Sequence, residues 1–307
     1  MKLLLLVLGA FFPFGGLGAQ AKVWQPSDGH TQIPIWPGAA PDAGTQPIEG
    51  PEDLSIVRLA DGTFWTSANN VTQPTMTVYA PKGTNTGVAV VVFPGGGYMC
   101  LAMDIEGSEI CDWLASKGIT AILLKYRVPV NRSGPHRESL AALQDAQRTL
   151  SLVRAHAVEW NIDPHKIGVI GFSAGGHMVA ATSTHFGKRS YPAIDDADRV
   201  SCRPDFAIAL YPGHLGGSGK DPVLNENVPV TSKTPPTFLV HAKNDPVDPV
   251  NNSVVYYHAL KKAGVPVEMH LYAQGGHAFG LRHPEMPISE WPRLVEKWLA
   301  TIGMTSK

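Results

Sequence analysis

The chain has 307 residues, 44% of them hydrophobic, with 25 Lys and Arg against 26 Asp and Glu and a formal net charge of −1. That length supports one substantial core, and the balanced charge leaves no basic surface of the kind nucleic acid requires. Three cysteines, Cys100, Cys111 and Cys202, are too few for a disulfide framework in a domain of this size, so free thiols are expected, with a Cys100–Cys111 bridge left open.

In chain order, Met1 and Lys2 precede an apolar run from Leu3 to Phe14, and Ala19-Gln20-Ala21 follows the small-residue rule for signal cleavage. Residues 1–21 are therefore expected to be a signal peptide, with Lys22 as the mature start and a secreted or periplasmic destination. The run is short for a membrane span and no second one follows, although an uncleaved anchor is the alternative. Residues 22–75 are rich in Pro, Gly, Ser and Thr around the cluster Ile33 to Gly38. They read as an ordered arm packed on the domain, leading into a strand at Met76 to Tyr79.

From residue 76 to 307 apolar runs alternate with helical periods. Strands are expected at Val88 to Phe93, Thr120 to Tyr126, Ile167 to Phe172, Phe206 to Tyr211, Thr237 to His241 and Val267 to Tyr272. Helices are expected at Ile105 to Ser116, Arg137 to Trp160, Gly176 to Phe186, Asn251 to Ala263 and Glu290 to Thr301. Strands apolar on both faces, separated by amphipathic helices, imply an α/β fold whose mostly parallel central sheet has helices on both faces. On the second helix, Asp145, Arg148 and Arg154 read as solvated or paired along that helix. The Pro- and Gly-rich stretch Tyr211 to Pro236 follows a strand end, where loops build pockets, and is expected to shape a substrate subsite.

The chemistry centres on Gly171-Phe172-Ser173-Ala174-Gly175, which stands between a strand and a helix. In that context a serine occupies a sharp, crowded turn with its hydroxyl presented outward. Such an alcohol needs an imidazole as base and a carboxylate to orient the imidazole, downstream in the order acid, base. His277, in Gln274-Gly275-Gly276-His277-Ala278-Phe279-Gly280, is the histidine with a suitable loop setting after the last strand. Asp245 is the preferred acid, at a strand end in Asn244-Asp245-Pro246-Val247-Asp248-Pro249. Asp248 competes with it, or serves the turn and the cap of the next helix. The run Pro94-Gly95-Gly96-Gly97-Tyr98 follows another strand, so the amides of Gly96, Gly97 and Ala174 are the expected oxyanion hole. Trp36, Trp65 and Tyr98 are candidates for stacking on sugar, although aromatics near an arm and a strand are more often core; Tyr98 is the one carried forward as a substrate contact. No metal-ligand spacing is present, and neither metal nor cofactor is expected.

These segments, with Tyr126-Arg127-Val128-Pro129, resemble the α/β-hydrolase superfamily, and within it the exported acetyl xylan and feruloyl esterases, some of them labelled xylanase-like. The likeness runs from about Pro34 to the helix around Trp298. It implies a metal-free catalytic triad of Ser173, Asp245 and His277 acting on acetyl or feruloyl esters of carbohydrate. One departure is Pro94, where much of the wider branch has a histidine that supports the glycine loop; here the loop must be braced otherwise, the fixed φ of proline being one means. The leading expectation is a secreted serine carboxylesterase whose partner is an ester-bearing carbohydrate. A serine peptidase of the prolyl oligopeptidase type shares the triad order, and a carbohydrate-binding hydrolase fold without turnover is the non-enzymatic alternative.

Overall fold

The computed structural model describes residues 23–44, 46, 48, 50–58, 62–129, 140–216, 222–282 and 285–306. The expected signal sequence, the start of the helix expected from residue 137 and part of the loop 211–236 lie outside the described residues. Along the described chain the strands are β1 (Gln32–Pro34), β2 (Asp53–Arg58), β3 (Phe64–Asn69), β4 (Thr75–Tyr79), β5 (Ala89–Phe93), β6 (Cys100–Ala102), β7 (Thr120–Lys125), β8 (Ile167–Phe172), β9 (Ala207–Leu210), β10 (Thr237–Ala242) and β11 (Val267–Tyr272). The helices are α1 (Glu109–Ser116), α2 (Leu140–Ala155), α3 (Ala174–His185), α4 (Asn251–Lys262) and α5 (Trp291–Thr301).

Among the described residues, eight strands form one sheet in the order β1-β4-β7-β5-β8-β9-β10-β11. β1 and β4 pair antiparallel, and from β7 to β11 every neighbouring pair is parallel. β5, β7, β8, β9 and β10 are buried at every residue, which is why their sequences are continuous apolar runs rather than alternating ones. Successive residues of β8 face opposite layers: Phe172 meets the Trp291 ring of α5, while Gly171 lies beneath Gly175 and Val179 of α3. α1 joins the α5 layer through Trp113 against Trp291, whose ring centroids are 5.1 Å apart.

The chain leaves β5 for β7 on one side and returns to β8 on the other. The crevice at this reversal, beyond the carboxyl ends of β5 and β8, is where an open parallel sheet binds its ligand. The glycine loop and Ser173 both emerge there.

Three features differ from the sequence expectation. The segment expected as an arm carries strand β1 of the main sheet and the hairpin β2–β3, which pairs with β6 as a second, three-stranded sheet. Helix α2 ends at Ala155, and the Asn161 backbone turns to φ +53° beyond it. The charged residues of α2 are not solvated along that helix. Asp145 is fully buried, 2.9 Å from the guanidinium of Arg127 and accepting from the Trp36 indole, while Arg148 and Arg154 reach Asp195 and Asp205 on other segments. A buried charge without a partner would be costly, so these residues staple the N-terminal segment and the connection between α3 and β9 to the helix. The three cysteines are free thiols. Among the described residues no helix is long and apolar enough to cross a membrane.

Candidate active site

Ser173 sits at φ +52°, ψ −118°, the left-handed side of backbone space that an L-residue adopts only under strain. The turn is tight enough that a Cβ on Gly171 would lie 2.1 Å from the Gly175 carbonyl oxygen, and one on Gly175 would lie 2.1 Å from that of Phe93. Glycine at these two positions is what lets the chain reverse around the serine. The Ser173 carbonyl accepts the His177 amide as α3 begins, so the positive end of the helix dipole lies beside the serine oxygen.

The loop after β11 brings His277 Nε2 to 3.0 Å from Ser173 Oγ, and its Nδ1 lies 2.7 Å from Asp245 Oδ2. Asp245 stands beyond β10, its other oxygen accepting the amides of Val247 and Asp248 at 2.8 and 2.9 Å. That closed turn fixes the carboxylate before any substrate arrives. Burial opposes ionisation of Asp245, but hydrogen bonds to His241 and His277 outweigh it and hold the carboxyl well below the usual range. Burial likewise disfavours a charged His277, yet the Asp245 hydrogen bond and charge, with smaller contributions from Glu106 and Asp248, leave its pKa raised.

Of the two competing acids, then, Asp245 is the one the structure brings to the imidazole. Asp248 is also at the site, in a place the turn-or-cap expectation missed: its Oδ2 accepts from Ser173 Oγ at 3.2 Å and lies 3.9 Å from His277 Nε2. His241, which reads from sequence as a strand residue, is wholly buried and supports the acid from behind. Its Nε2 lies 2.9 Å from the Asp248 carbonyl and 3.3 Å from Asp245 Oδ2, and its Nδ1 pairs with Ser253 Oγ at 2.8 Å.

The glycine loop is braced by two groups. Tyr126 Oη donates to the Pro94 carbonyl at 2.5 Å, and the Gly95 amide donates to Glu106 Oε2 at 2.8 Å. Glu106 is buried beneath the loop in the π-helical turn Asp104–Ser108, and its Oε1 accepts from Tyr211 Oη at 2.9 Å. Burial raises its carboxyl above the usual range, against the pull of His277, Tyr211 and Gly95. With the Gly95 amide committed, the candidate oxyanion donors are those of Gly96, Gly97 and Ala174; both glycines line the pocket and Ala174 opens α3.

Tyr98 is not at the pocket wall. It is 1% exposed, its hydroxyl pairs with His177 Nδ1 at 2.8 Å, and its ring packs on Tyr126. Burial lowers the His177 pKa to about 3, so that ring is neutral and belongs to the support behind the serine. Trp36 is likewise core, whereas Trp65 faces the site. The pocket holds about 500 Å³, with Ser173, His277, Asp248 and Glu106 at its floor, Val57 and Trp65 of the second sheet on one wall, and Met99, Ile105 and Val247 among its apolar lining. His214 is the described residue that the loop 211–236 contributes.

Glu106 gives a test of the brace. Glu106→Ala leaves the buried Gly95 amide without an acceptor, at a cost of about 1–3 kcal/mol, and should lower both the melting temperature and kcat. Glu106→Gln keeps one acceptor oxygen for Gly95 and lets the Tyr211 hydroxyl turn. It should melt close to wild type while the acidic limb of its pH–rate profile moves to lower pH, because a negative charge that raises the His277 pKa is gone. A profile of kcat/KM on 4-nitrophenyl acetate, with thermal melts, separates the two.

A family model for BD-FAE matches residues 76–201, and one for the prolyl oligopeptidase family matches residues 220–303. The chain is 33% identical over 220 residues to an acetylxylan esterase of Xylanibacter ruminicola, a match covering 67% of this chain and 43% of that protein. It is 30% identical over 222 residues to endo-1,4-beta-xylanase B of Butyrivibrio fibrisolvens, covering 66% and 34%. The match thus spans less than half the length of either curated relative. Among solved structures, an acetyl ester-xyloside bifunctional hydrolase of Caldicellulosiruptor lactoaceticus superposes with a TM-score of 0.69 at 34% identity, covering 90% of this chain and 97% of that one.

Proposed function

The chain belongs to the α/β-hydrolase superfamily, beside the acetylxylan esterase-like ester hydrolases, and from that premise we propose that it is a secreted serine carboxylesterase that removes acetyl groups from carbohydrate such as xylan. The observation that carries this reading is the unbroken relay from Ser173 Oγ to His277 Nε2 at 3.0 Å and from His277 Nδ1 to Asp245 at 2.7 Å, opening on the pocket.

In this mechanism Ser173 Oγ attacks the ester carbonyl carbon while His277 takes its proton, and the resulting oxyanion is met by the amides of Gly96, Gly97 and Ala174. When the carbon–oxygen bond to the sugar breaks, His277 returns the proton to the departing hydroxyl. Water then attacks the acyl-serine, giving a proton through His277 back to Ser173 as the carboxylic acid leaves. The N-terminal segment is assigned as a signal peptide removed after Ala21, which would place the enzyme where plant polysaccharide is met. The arm of residues 22–75 is assigned to the same catalytic unit.

Purified mature protein is expected to release acetate from acetylated xylan, to release less from a feruloylated oligosaccharide, and to leave dipeptide anilides intact. The anilides are the informative control because the prolyl oligopeptidase model covers residues 220–303, the stretch bearing Asp245 and His277. Cleavage of anilides in preference to acetyl esters would replace the esterase reading with a peptidase one. Absence of both activities together with absence of fluorophosphonate labelling would favour a binding protein.

A further inference from the structure

The relay described above does not use Asp248, although this carboxylate touches the nucleophile. One hydroxyl proton on Ser173 faces two acceptors, His277 Nε2 at 3.0 Å and Asp248 Oδ2 at 3.2 Å. A proton donated to Asp248 is not aimed at the base, so in the resting site the carboxylate competes with activation of the serine. Among the described residues no other hydrogen bond reaches that side chain, which is 16% exposed and lines the pocket. An ionised carboxylate accepts about four hydrogen bonds and donates none. Its remaining capacity points to a donor brought by the substrate. The neighbouring walls narrow the class: the Trp65 ring and the apolar Ile105 and Met99 suit a ligand with an apolar face and a hydroxyl-bearing edge.

We propose that Asp248 selects esters of sugars or other polyols that keep a free hydroxyl on the carbon next to the acylated oxygen, by accepting a hydrogen bond from that hydroxyl. The inference rests on the esterase reading of Ser173, His277 and Asp245. With the substrate hydroxyl on Asp248, the serine proton is left to His277, so the correct substrate both binds and restores the productive hydrogen bond. An ester lacking that donor leaves Asp248 in competition for the serine. An acyl group carrying its own carboxylate is repelled.

The test compares methyl xylopyranoside monoacetate with the same ester after its free hydroxyls are methylated, using wild type, Asp248→Asn and Asp248→Ala. Rates are normalised to sites titrated by a fluorophosphonate, so that any misfolded fraction drops out. Wild type is expected to favour the free-hydroxyl ester by ~10- to 100-fold in kcat/KM, as befits a hydrogen bond to a charged group. Asp248→Ala should lose most of that ratio, through a higher KM on the free-hydroxyl ester and a faster rate on the methylated one, which no longer meets a competitor for the serine proton; Asp248→Asn, which keeps a neutral acceptor oxygen, should lose part of it. Equal rates on the two esters in wild type, or a preference unchanged in both variants, overturns the proposal for Asp248 alone. If wild type hydrolyses neither ester, or Ser173→Ala hydrolyses them as fast as wild type, the esterase reading itself falls and the inference with it.

Discussion

Replacing Ser173 by glycine is expected to abolish ester hydrolysis and yet give a protein that melts above the alanine variant. The two substitutions remove the same hydroxyl, so each should reduce kcat by ~10⁴- to 10⁶-fold, the range seen when a nucleophile acting as one unit with its base is deleted. They differ in backbone. At an ordinary position glycine costs roughly 0.5–1 kcal/mol relative to alanine through its greater freedom in the unfolded chain. At φ +52°, ψ −118° a Cβ is itself the problem, and strain of this kind amounts to ~1–3 kcal/mol. Removing it should outweigh the entropy difference and raise the melting temperature of Ser173→Gly above that of Ser173→Ala, by about 1.5 °C per kcal/mol for a chain of this size. Paired melting curves decide the matter: an alanine variant more stable than the glycine variant would mean that the strain in the turn is smaller than the entropy cost of glycine. Hydrolysis of 4-nitrophenyl acetate by either variant at the wild-type rate would remove Ser173 from the mechanism.

That strain sits where local sequence rules could find it, and this separates what was legible from what was not. β8 and β11 fall on their expected residues because each is a compact apolar or β-rich run bounded by turn chemistry. The serine turn was readable because its glycines answer to contacts within five residues and with the adjoining strand. β2 and β3 were not, since the β2 face alternates weakly and Ile56 and Phe64 stay exposed; only pairing with each other and with β6 defines them. The same division runs through the site. His277 announced itself by its glycine-rich loop, whereas Glu106 is an acid in an amphipathic stretch whose meaning depends on the Gly95 amide and the Tyr211 hydroxyl meeting it from two other strand ends. Tyr98 misled for the complementary reason. Its place in the glycine loop suggested the pocket, but its φ of +59° turns the ring inward onto His177, leaving Met99 to face solvent. Asp145 looked like a surface charge until Arg127, from beyond β7, supplied a buried partner.

Asp245→Asn is the second change with a large expected effect, and here the hydrogen-bond geometry fixes the sign. Asp245 Oδ1 accepts two backbone amides and Oδ2 accepts from His277 Nδ1. An asparagine has a single acceptor oxygen. If that oxygen stays with the Val247 and Asp248 amides, the NH₂ group faces His277 Nδ1 and forces the ring into the tautomer that carries its proton on Nε2. An Nε2–H cannot take the serine proton, so kcat should fall by ~10⁴-fold with the fold intact. The flipped amide sets two donors against two backbone N–H groups and costs stability instead. The pH dependence is equally directional. Neutral His277 is the active base, so activity rises with pH through its pKa, which Asp245 helps to hold above the ordinary 6.5. Residual activity of Asp245→Asn should therefore rise at lower pH than that of wild type, the shift being partial because Glu106 and Asp248 still act on the ring. Stability follows by linkage. The lowered Asp245 carboxyl contributes fully above its ordinary value of 3.8 and loses that contribution as pH falls through its folded pKa. The raised His277 contributes fully below 6.5 and loses its part as pH rises through its own folded value. The charge-dependent gap in melting temperature between wild type and Asp245→Asn should be widest between those two ordinary values and narrow on either side. A gap that grows steadily from pH 6 to pH 9 would show that the pair is not charged in the way its geometry demands.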